Sequence, residues 1–275
     1  MSFVARTTVA AAVVAALALP AAAGAQASGS PARRAGAQQT AIRSMASVAA
    51  RQGAARPALA AVAGPVRETR VIGRTRQGRP IYAYRLGEPG RPVVAVVATM
   101  HGNERMNHWV VNGLRTGRPV RGVDLWVVEY VNPDGWARGS RYNAVGVDLN
   151  RNFPTAWSSR VLRAGRGPAS EPETRALMSF LDRTDPRYVV SLHQPFDGVD
   201  TYALKDRALA DRLSRQLGLA RKSFACSGGC HGTMTQWFNA RHRGAAITVE
   251  WGRSPSRAQL SRASDGVLRS VGGTR

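Results

Sequence analysis

From residue 66 onward, short runs of β-branched and apolar residues alternate with stretches whose apolar positions recur every three to four residues. That alternation is the pattern of an α/β sheet. Apolar runs at residues 79–85, 92–99, 123–131, 187–192 and 245–249 predict strands. Several are continuously apolar, as strands covered by helices on both faces should be. Helical spacing predicts helices over 107–114, 171–181, 206–217, 235–240 and 257–269. The second has a start signal: Ser170 followed by Glu173 predicts a capping box, with Pro172 in the first turn, where its missing N–H has no helical partner to lose.

The chain before residue 66 has a different texture. Arg6, an Ala/Val/Leu run to Leu19, Pro20 and then small residues as far as Ala27 follow the order of a secretory signal. Export to the medium, wall or periplasm is therefore expected. The run is short and alanine-rich against the roughly 20 strongly apolar residues of a membrane span, so no anchor is expected after processing. Residues 28–65 are Ala, Arg, Gln, Gly and Pro with few large apolar groups, which predicts a linker or pro-segment. That leaves 66–275 as one domain, expected to be monomeric, within a chain of 275 residues.

Charge changes the picture less than its size suggests. The 39 Lys and Arg against 17 Asp and Glu give +22, nearly all of it arginine. Such a surface attracts polyanions, but basicity governs association and solubility and is silent about chemistry. For an exported chain an anionic wall polymer or an acidic peptide fits, and no nucleic-acid partner is expected. A solvated arginine shell accounts for the same composition. The two cysteines, Cys226 and Cys230, enclose Ser-Gly-Gly and precede His231. In an oxidising compartment they read as a small disulfide loop, with a second metal site through His231 as the rival.

Chemistry sits where strands stop. The run 92–99 leads through Met100 into His101-Gly102-Asn103-Glu104, the run 187–192 into His193, and the run 245–249 into Glu250. In an open α/β sheet the crevice at the carboxyl ends of the strands is where ligands bind. Two imidazoles and one carboxylate leave a fourth tetrahedral position for water, the composition of a catalytic zinc site, so one zinc ion on His101, Glu104 and His193 is expected. Glu250 is placed to act as general base on a water whose pKa the metal lowers. Between the ligands, Asn150 and Arg151 supply an amide beside a planar guanidinium, the pair suited to a substrate carboxylate. Arg141 is a candidate to polarise a carbonyl and stabilise the developing oxyanion.

The ordered set GRTRQGRPI (73–81), MHGNE (100–104), NPDG (132–135), RYNAVGVDLNRNFP (141–154), SLHQP (191–195) and ITVEWG (247–252) resembles the zinc metallocarboxypeptidases, in particular the small bacterial branch of murein peptide amidases. The resemblance implies an α/β domain with a mixed, mostly parallel eight-stranded sheet between helices. It also implies zinc on His101, Glu104 and His193, carboxylate binding by Asn150 and Arg151, carbonyl polarisation by Arg141 and proton transfer by Glu250. The implied substrate is a peptide with a free C-terminal carboxylate, with murein stem peptides containing a γ-D-glutamyl to diamino acid bond as the favoured class. Where many digestive members carry a tyrosine about two dozen residues before the catalytic glutamate, this chain has the Cys226–Cys230 segment, and His231 is the candidate to replace that phenol. The family position that sets side-chain preference falls at Thr235, which announces no charge preference. Two other readings stay open: an amidohydrolase of N-acyl amino acids, as in the related desuccinylase and aspartoacylase branch, and a non-catalytic polyanion-binding module.

Overall fold

The computed structural model describes residues 65–226 and 230–275. The expected signal segment 1–27, and all of the expected linker 28–65 except Pro65, lie outside the described residues. Eight strands form one sheet: β1 (Glu68–Arg74), β2 (Pro80–Gly87), β3 (Val93–Val97), β4 (Asp124–Val128), β5 (Tyr188–His193), β6 (Phe196–Asp200), β7 (Arg221–Lys222) and β8 (Ala245–Gly252), in the order β1-β2-β4-β3-β5-β8-β6-β7. The central β4, β3, β5 and β8 run parallel. Antiparallel pairing brings in β2 and β1 on one side and β6 on the other, where β7 pairs parallel to β6. The sheet is mixed with a parallel centre, as the resemblance implied.

Six helices are described: α1 (Asn107–Thr116), α2 (Pro133–Arg138), α3 (Pro172–Thr184), α4 (Arg207–Leu217), α5 (Met234–Arg241) and α6 (Arg257–Ser270). They cover both faces of the sheet. Val94, Val96, Val190 and Val249 pack with Leu114, Leu213 and Val267 of α1, α4 and α6. The alternate residues Ala95, Val97, Val189 and Ala246 pack with Leu177, Phe180 and Phe238 of α3 and α5. Successive side chains point to opposite faces, so a strand buried on both must be apolar throughout, which is why these runs show no alternation. Each such buried valine, leucine or phenylalanine side chain stabilises the fold by about 1.5–3 kcal/mol.

Three strands and one helix were not predicted. In β1 exposed and buried positions mix with charge, β6 reads Phe-Asp-Gly-Val-Asp, and β7 has two residues. Such edge-side segments are held by the ladder and carry no apolar run of their own. The turn at Asn132 continues into the short helix α2, started by the Asn132 side chain, which accepts from the Gly135 N–H at 2.8 Å.

The capping box expected at Ser170 is not formed. Glu171 is the N-cap residue of α3 and makes no side-chain capping bond, with Pro172 following. Ser170 Oγ instead donates to Glu171 Oε1 at 2.8 Å and accepts from Asn152 at 3.0 Å, and Glu173 Oε1 accepts from the Arg76 N–H at 3.0 Å. Tertiary partners from distant segments displace the local cap, because these acids tie the β1–β2 turn to the loop that carries Arg141 and Asn150.

Candidate active site

The parallel strands deliver their ends to one place. The chain leaves β3 and turns at Thr99 into Met100 and His101. The turn is pressed against α2: a Cβ on Gly102 would run into the backbone of Gly135 and Trp136, so only glycine allows this approach. Asn132, fully buried, adds a hydrogen bond from Nδ2 to the Met100 carbonyl at 3.3 Å. His193 is the last residue of β5 and stands in register with Glu250 of β8.

His101, Glu104 and His193 are buried, and one ligand atom from each lies within 4.8 Å of the others. His101 Nδ1 is 2.6 Å from Glu104 Oε1 and 3.2 Å from His193 Nδ1, which is 3.1 Å from Glu104 Oε2. Two imidazole nitrogens facing each other beside a carboxylate form a donor set that fits one tetrahedral cation with Zn–N bonds of about 2.0–2.1 Å. The far nitrogens are already engaged: His101 Nε2 with Asp148 Oδ1 at 3.0 Å and His193 Nε2 with Ser191 Oγ at 3.0 Å. Those outer contacts hold both rings with Nδ1 turned towards Glu104, where a bound ion would be held. Asn107 Nδ2 steadies Glu104 by donating to Oε2 at 3.4 Å.

The electrostatics follow from burial and pairing. Burial opposes charge on His101, but Glu104 and Asp148 outweigh it and raise the imidazole to about 9. Burial likewise opposes ionisation of Glu104, and the two histidines overcome it, bringing the carboxyl down to about 2. Asp148 is held well below the carboxylate range by His101, Arg141 and Arg151, against the cost of its burial. The site thus holds its carboxylates ionised; a cation at the same place would take over from the proton on His101 in balancing them. Glu250 differs: burial pushes it above the ordinary range, and Glu104 adds to that effect while His193 opposes it. Among the described residues its Oε2 accepts one bond, a long one of 3.4 Å from the Phe196 N–H.

These residues line a cleft of about 580 Å³ together with Arg141, Asn150, Arg151, Thr235 and Thr248. Arg141 donates from Nε to Asp148 Oδ2 at 2.9 Å and points Nη1 at Glu104 Oε1 at 3.5 Å. Asn150 and Arg151 sit on the 3-10 turn Leu149–Arg151, whose first N–H groups are gathered by Asp148: Oδ1 accepts from the Asn150 N–H at 3.0 Å. Asn150 Oδ1 accepts from the Met234 N–H at the start of α5, and among the described residues Nδ2 has no acceptor. Arg151 is steadied by its bond to the Asn150 carbonyl at 2.8 Å and by a contact with Cys226 Sγ at 3.5 Å.

Cys226 and Cys230 are disulfide-bonded, which removes their sulfurs from any second metal site. The sequence expectation for His231 is not met. The ring does not line the cleft, and its Nδ1 bonds to the Ala156 carbonyl at 2.9 Å. The glycine after it, Gly232, has a positive φ and lies so close to the Arg151 and Phe153 carbonyls that only glycine fits there. Thr235 does line the cleft, its hydroxyl 2.9 Å from that of Thr248. Among the lining residues that sequence reasoning did not name as site candidates are Thr248, Asp200 and Tyr202. Thr248 was legible from its place two residues before Glu250, on the same face of β8; Asp200 ends, and Tyr202 follows, a strand that had no apolar run to announce it.

The sequence pattern of the zinc carboxypeptidase family matches residues 59–199, which include all three candidate ligands together with Arg141, Asn150 and Arg151. The chain belongs to the zinc carboxypeptidase family. Glu250 lies beyond the matched segment, so its place rests on the β5–β8 register. Murein peptide amidase A of Escherichia coli K12 is 38% identical over 144 residues, which are 46% of this chain and 59% of that protein. Mouse carboxypeptidase D is 29% identical over 228 residues, 60% of this chain and 16% of the larger protein. The chain thus spans under two thirds of the length of these relatives. The murein-tripeptide amidase structure from Escherichia coli O157 superposes with a TM-score of 0.61 at 29% identity, over 74% of this chain and 91% of that one. Carboxypeptidase A from Helicoverpa armigera, at 15% identity and a TM-score of 0.63 over 76% and 68% of the two chains, shares the fold. The zinc carboxypeptidase family is zinc-dependent, and the His101, Glu104 and His193 group fits its single ion.

Proposed function

We propose that the protein is a zinc metallocarboxypeptidase that removes a C-terminal residue from a peptide bearing a free carboxylate, with murein stem peptides as its substrate class. One observation bears most of the weight: the His101–Glu104–His193 donor set, Glu250, Arg141 and the Asn150–Arg151 pair all face a single cleft. Bound zinc lowers the pKa of water and polarises the scissile carbonyl. In this reading Arg151 and the Asn150 Nδ2 hold the terminal carboxylate, and Arg141 faces the oxygen on which charge develops. Glu250 takes a proton from the attacking water and hands it to the leaving amine, a role suited to a carboxyl whose burial raises its basicity. Murein peptides are favoured because two of the relatives carry that substrate in their names. Export through residues 1–27, towards a wall whose anionic polymers the basic surface would attract, belongs to the same proposal.

The test is to incubate the purified protein with murein tripeptides, ordinary peptides and N-acyl amino acids, each with and without a chelator. Chelator-sensitive release of the C-terminal residue from murein tripeptides is the expected result. Turnover of N-acyl amino acids alone would assign the chain to the amidohydrolase branch, and no turnover of any substrate by the zinc-loaded protein would end the enzymatic reading.

A further inference from the structure

Three carboxylates line the cleft, and two have assignments: Glu104 as ligand and Glu250 as base. The third is Asp200, the last residue of β6. Its Oδ1 accepts from the Tyr202 N–H at 2.8 Å and the Phe224 N–H at 3.1 Å. The Thr201 N–H also faces the carboxylate and His193 acts on it from the candidate metal site, but among the described residues no Lys, Arg or His forms an ion pair with it. That is unusual company for a half-buried acid in a chain with 39 Lys and Arg against 17 Asp and Glu. The cation best placed to neutralise it is Lys222, its partner in the β6–β7 ladder. The Lys222 ammonium is spent elsewhere, donating to the Phe196 carbonyl at 3.4 Å and the Asp197 carbonyl at 2.5 Å.

We propose that Asp200 is the specificity-determining residue of the cleft, accepting the side-chain ammonium of a C-terminal diamino acid whose carboxylate is held by Arg151. This rests on the carboxypeptidase reading and adds to it the chemistry of the leaving residue. The other groups at this part of the cleft carry no charge: Thr235 and Thr248 bond to each other, and Tyr202 and Phe224 offer ring surface for a methylene chain. A carboxylate removed from water with no protein cation beside it is paid for only when a ligand brings the cation, and a neutral side chain leaves it unpaired. Burial pushes Asp200 above the ordinary carboxylate range, while the Tyr202, Phe224 and Thr201 N–H groups and His193 oppose that, and an arriving ammonium would favour the ionised form further. Thr235, on α5 at the position the family uses for side-chain preference, gives no charge preference, and that task falls to Asp200 at the end of β6.

The experiment compares two peptides identical except that the side-chain amine of the terminal diamino acid is free or acetylated. Binding is measured by calorimetry to the zinc-loaded Glu250→Gln protein with Asp200 present or replaced by Asn, and kcat/KM is measured in the wild-type and Asp200→Asn proteins. Asparagine keeps the oxygen that accepts from Tyr202 and Phe224, so a purely structural role would leave the ratio between the peptides unmoved. The expected result is a preference of about 10- to 100-fold for the free amine, the range for a hydrogen-bonded charge, falling to near one in Asp200→Asn. A ratio near one with Asp200 present, or a ratio that survives its replacement, overturns the proposal. Should Asp200→Asn not fold, Asp200→Ser serves as the second variant, and a ratio near one in the Asp200-intact protein is by itself decisive against. If neither peptide is hydrolysed the carboxypeptidase reading falls, while the binding ratio still decides the role of Asp200.

Discussion

His193 and Glu250 are register partners in the parallel ladder between β5 and β8, so a metal ligand and the candidate base are fixed side by side by backbone hydrogen bonds. Gly198 of β6 pairs with Glu250 from the other side, which locks the position twice. Glu250→Gln keeps the shape of the side chain and removes only its ability to take a proton. The variant should retain one zinc per chain by metal analysis while kcat falls by about 10²- to 10⁴-fold, the usual range for a lost general base. Activity within a few-fold of wild type would take the base assignment away from Glu250.

Arg151→Ala separates carboxylate binding from the chemistry. The guanidinium is tethered to the Asn150 carbonyl and faces the cleft, far enough along the chain from the ligands that the zinc site should survive its loss. For peptides with a free C-terminal carboxylate, kcat/KM should drop by about 10- to 100-fold, mostly through KM. For the same peptides amidated at the C-terminus, little should change. Equal losses for both series would mean that Arg151 does not read the carboxylate.

The central sheet and the site's core were readable in the sequence for one reason: β3, β5 and β8 are apolar on both faces, and each run stops at or just before a residue that cannot be buried without a partner. His101, His193 and Glu250 mark those stops. What was hidden lacked that contrast. β6 and β7 exist because β8 offers them a free edge, so Asp200 could not be placed in the cleft before the ladder was known. His231 could not be placed for a related reason: its neighbour Gly232 packs on the Arg151 carbonyl and its ring bonds to the Ala156 carbonyl, contacts no local pattern encodes. The Ser170 box failed because Arg76 and Asn152, remote in sequence, outcompeted the local backbone.

Gly102→Ala tests whether the packing between the His101 turn and α2 sets the metal site. An added methyl must push against the Gly135 and Trp136 backbone, which cannot yield as a side chain can. The turn would shift, taking His101 and Glu104 out of line with His193. Zinc affinity, measured by competition with a chromogenic chelator, should weaken by at least about tenfold, in the range seen when ligand orientation is lost. Unaltered affinity would show that the turn can relax independently of the ligands.

Glu171 links acid sensitivity to the same loop. It is 2% exposed, and its Oε2 accepts from Arg76 Nε at 3.2 Å and from Asn143 Nδ2 at 2.8 Å, while Oε1 accepts from Ser170. Burial alone would push this carboxyl up, but the bonds from Arg76, Asn143 and Ser170 outweigh it and hold the group below its ordinary 4.5. A folded pKa below the unfolded one means that the folded state favours the ionised form. The resulting stability is complete above the unfolded value and is lost as pH falls through the folded one. Glu171→Gln should therefore melt below wild type at neutral pH, and the gap should close in acid, once the wild-type carboxyl is itself protonated. Asn143 also accepts from the Val147 N–H at 2.9 Å, one residue before Asp148, so loosening Glu171 should reach Arg141 and the 3-10 turn. Thermal melts between neutral pH and pH values below 4.5, run on both proteins, decide it: a difference that stays constant with pH would mean that Glu171 acts through shape and not through its charge.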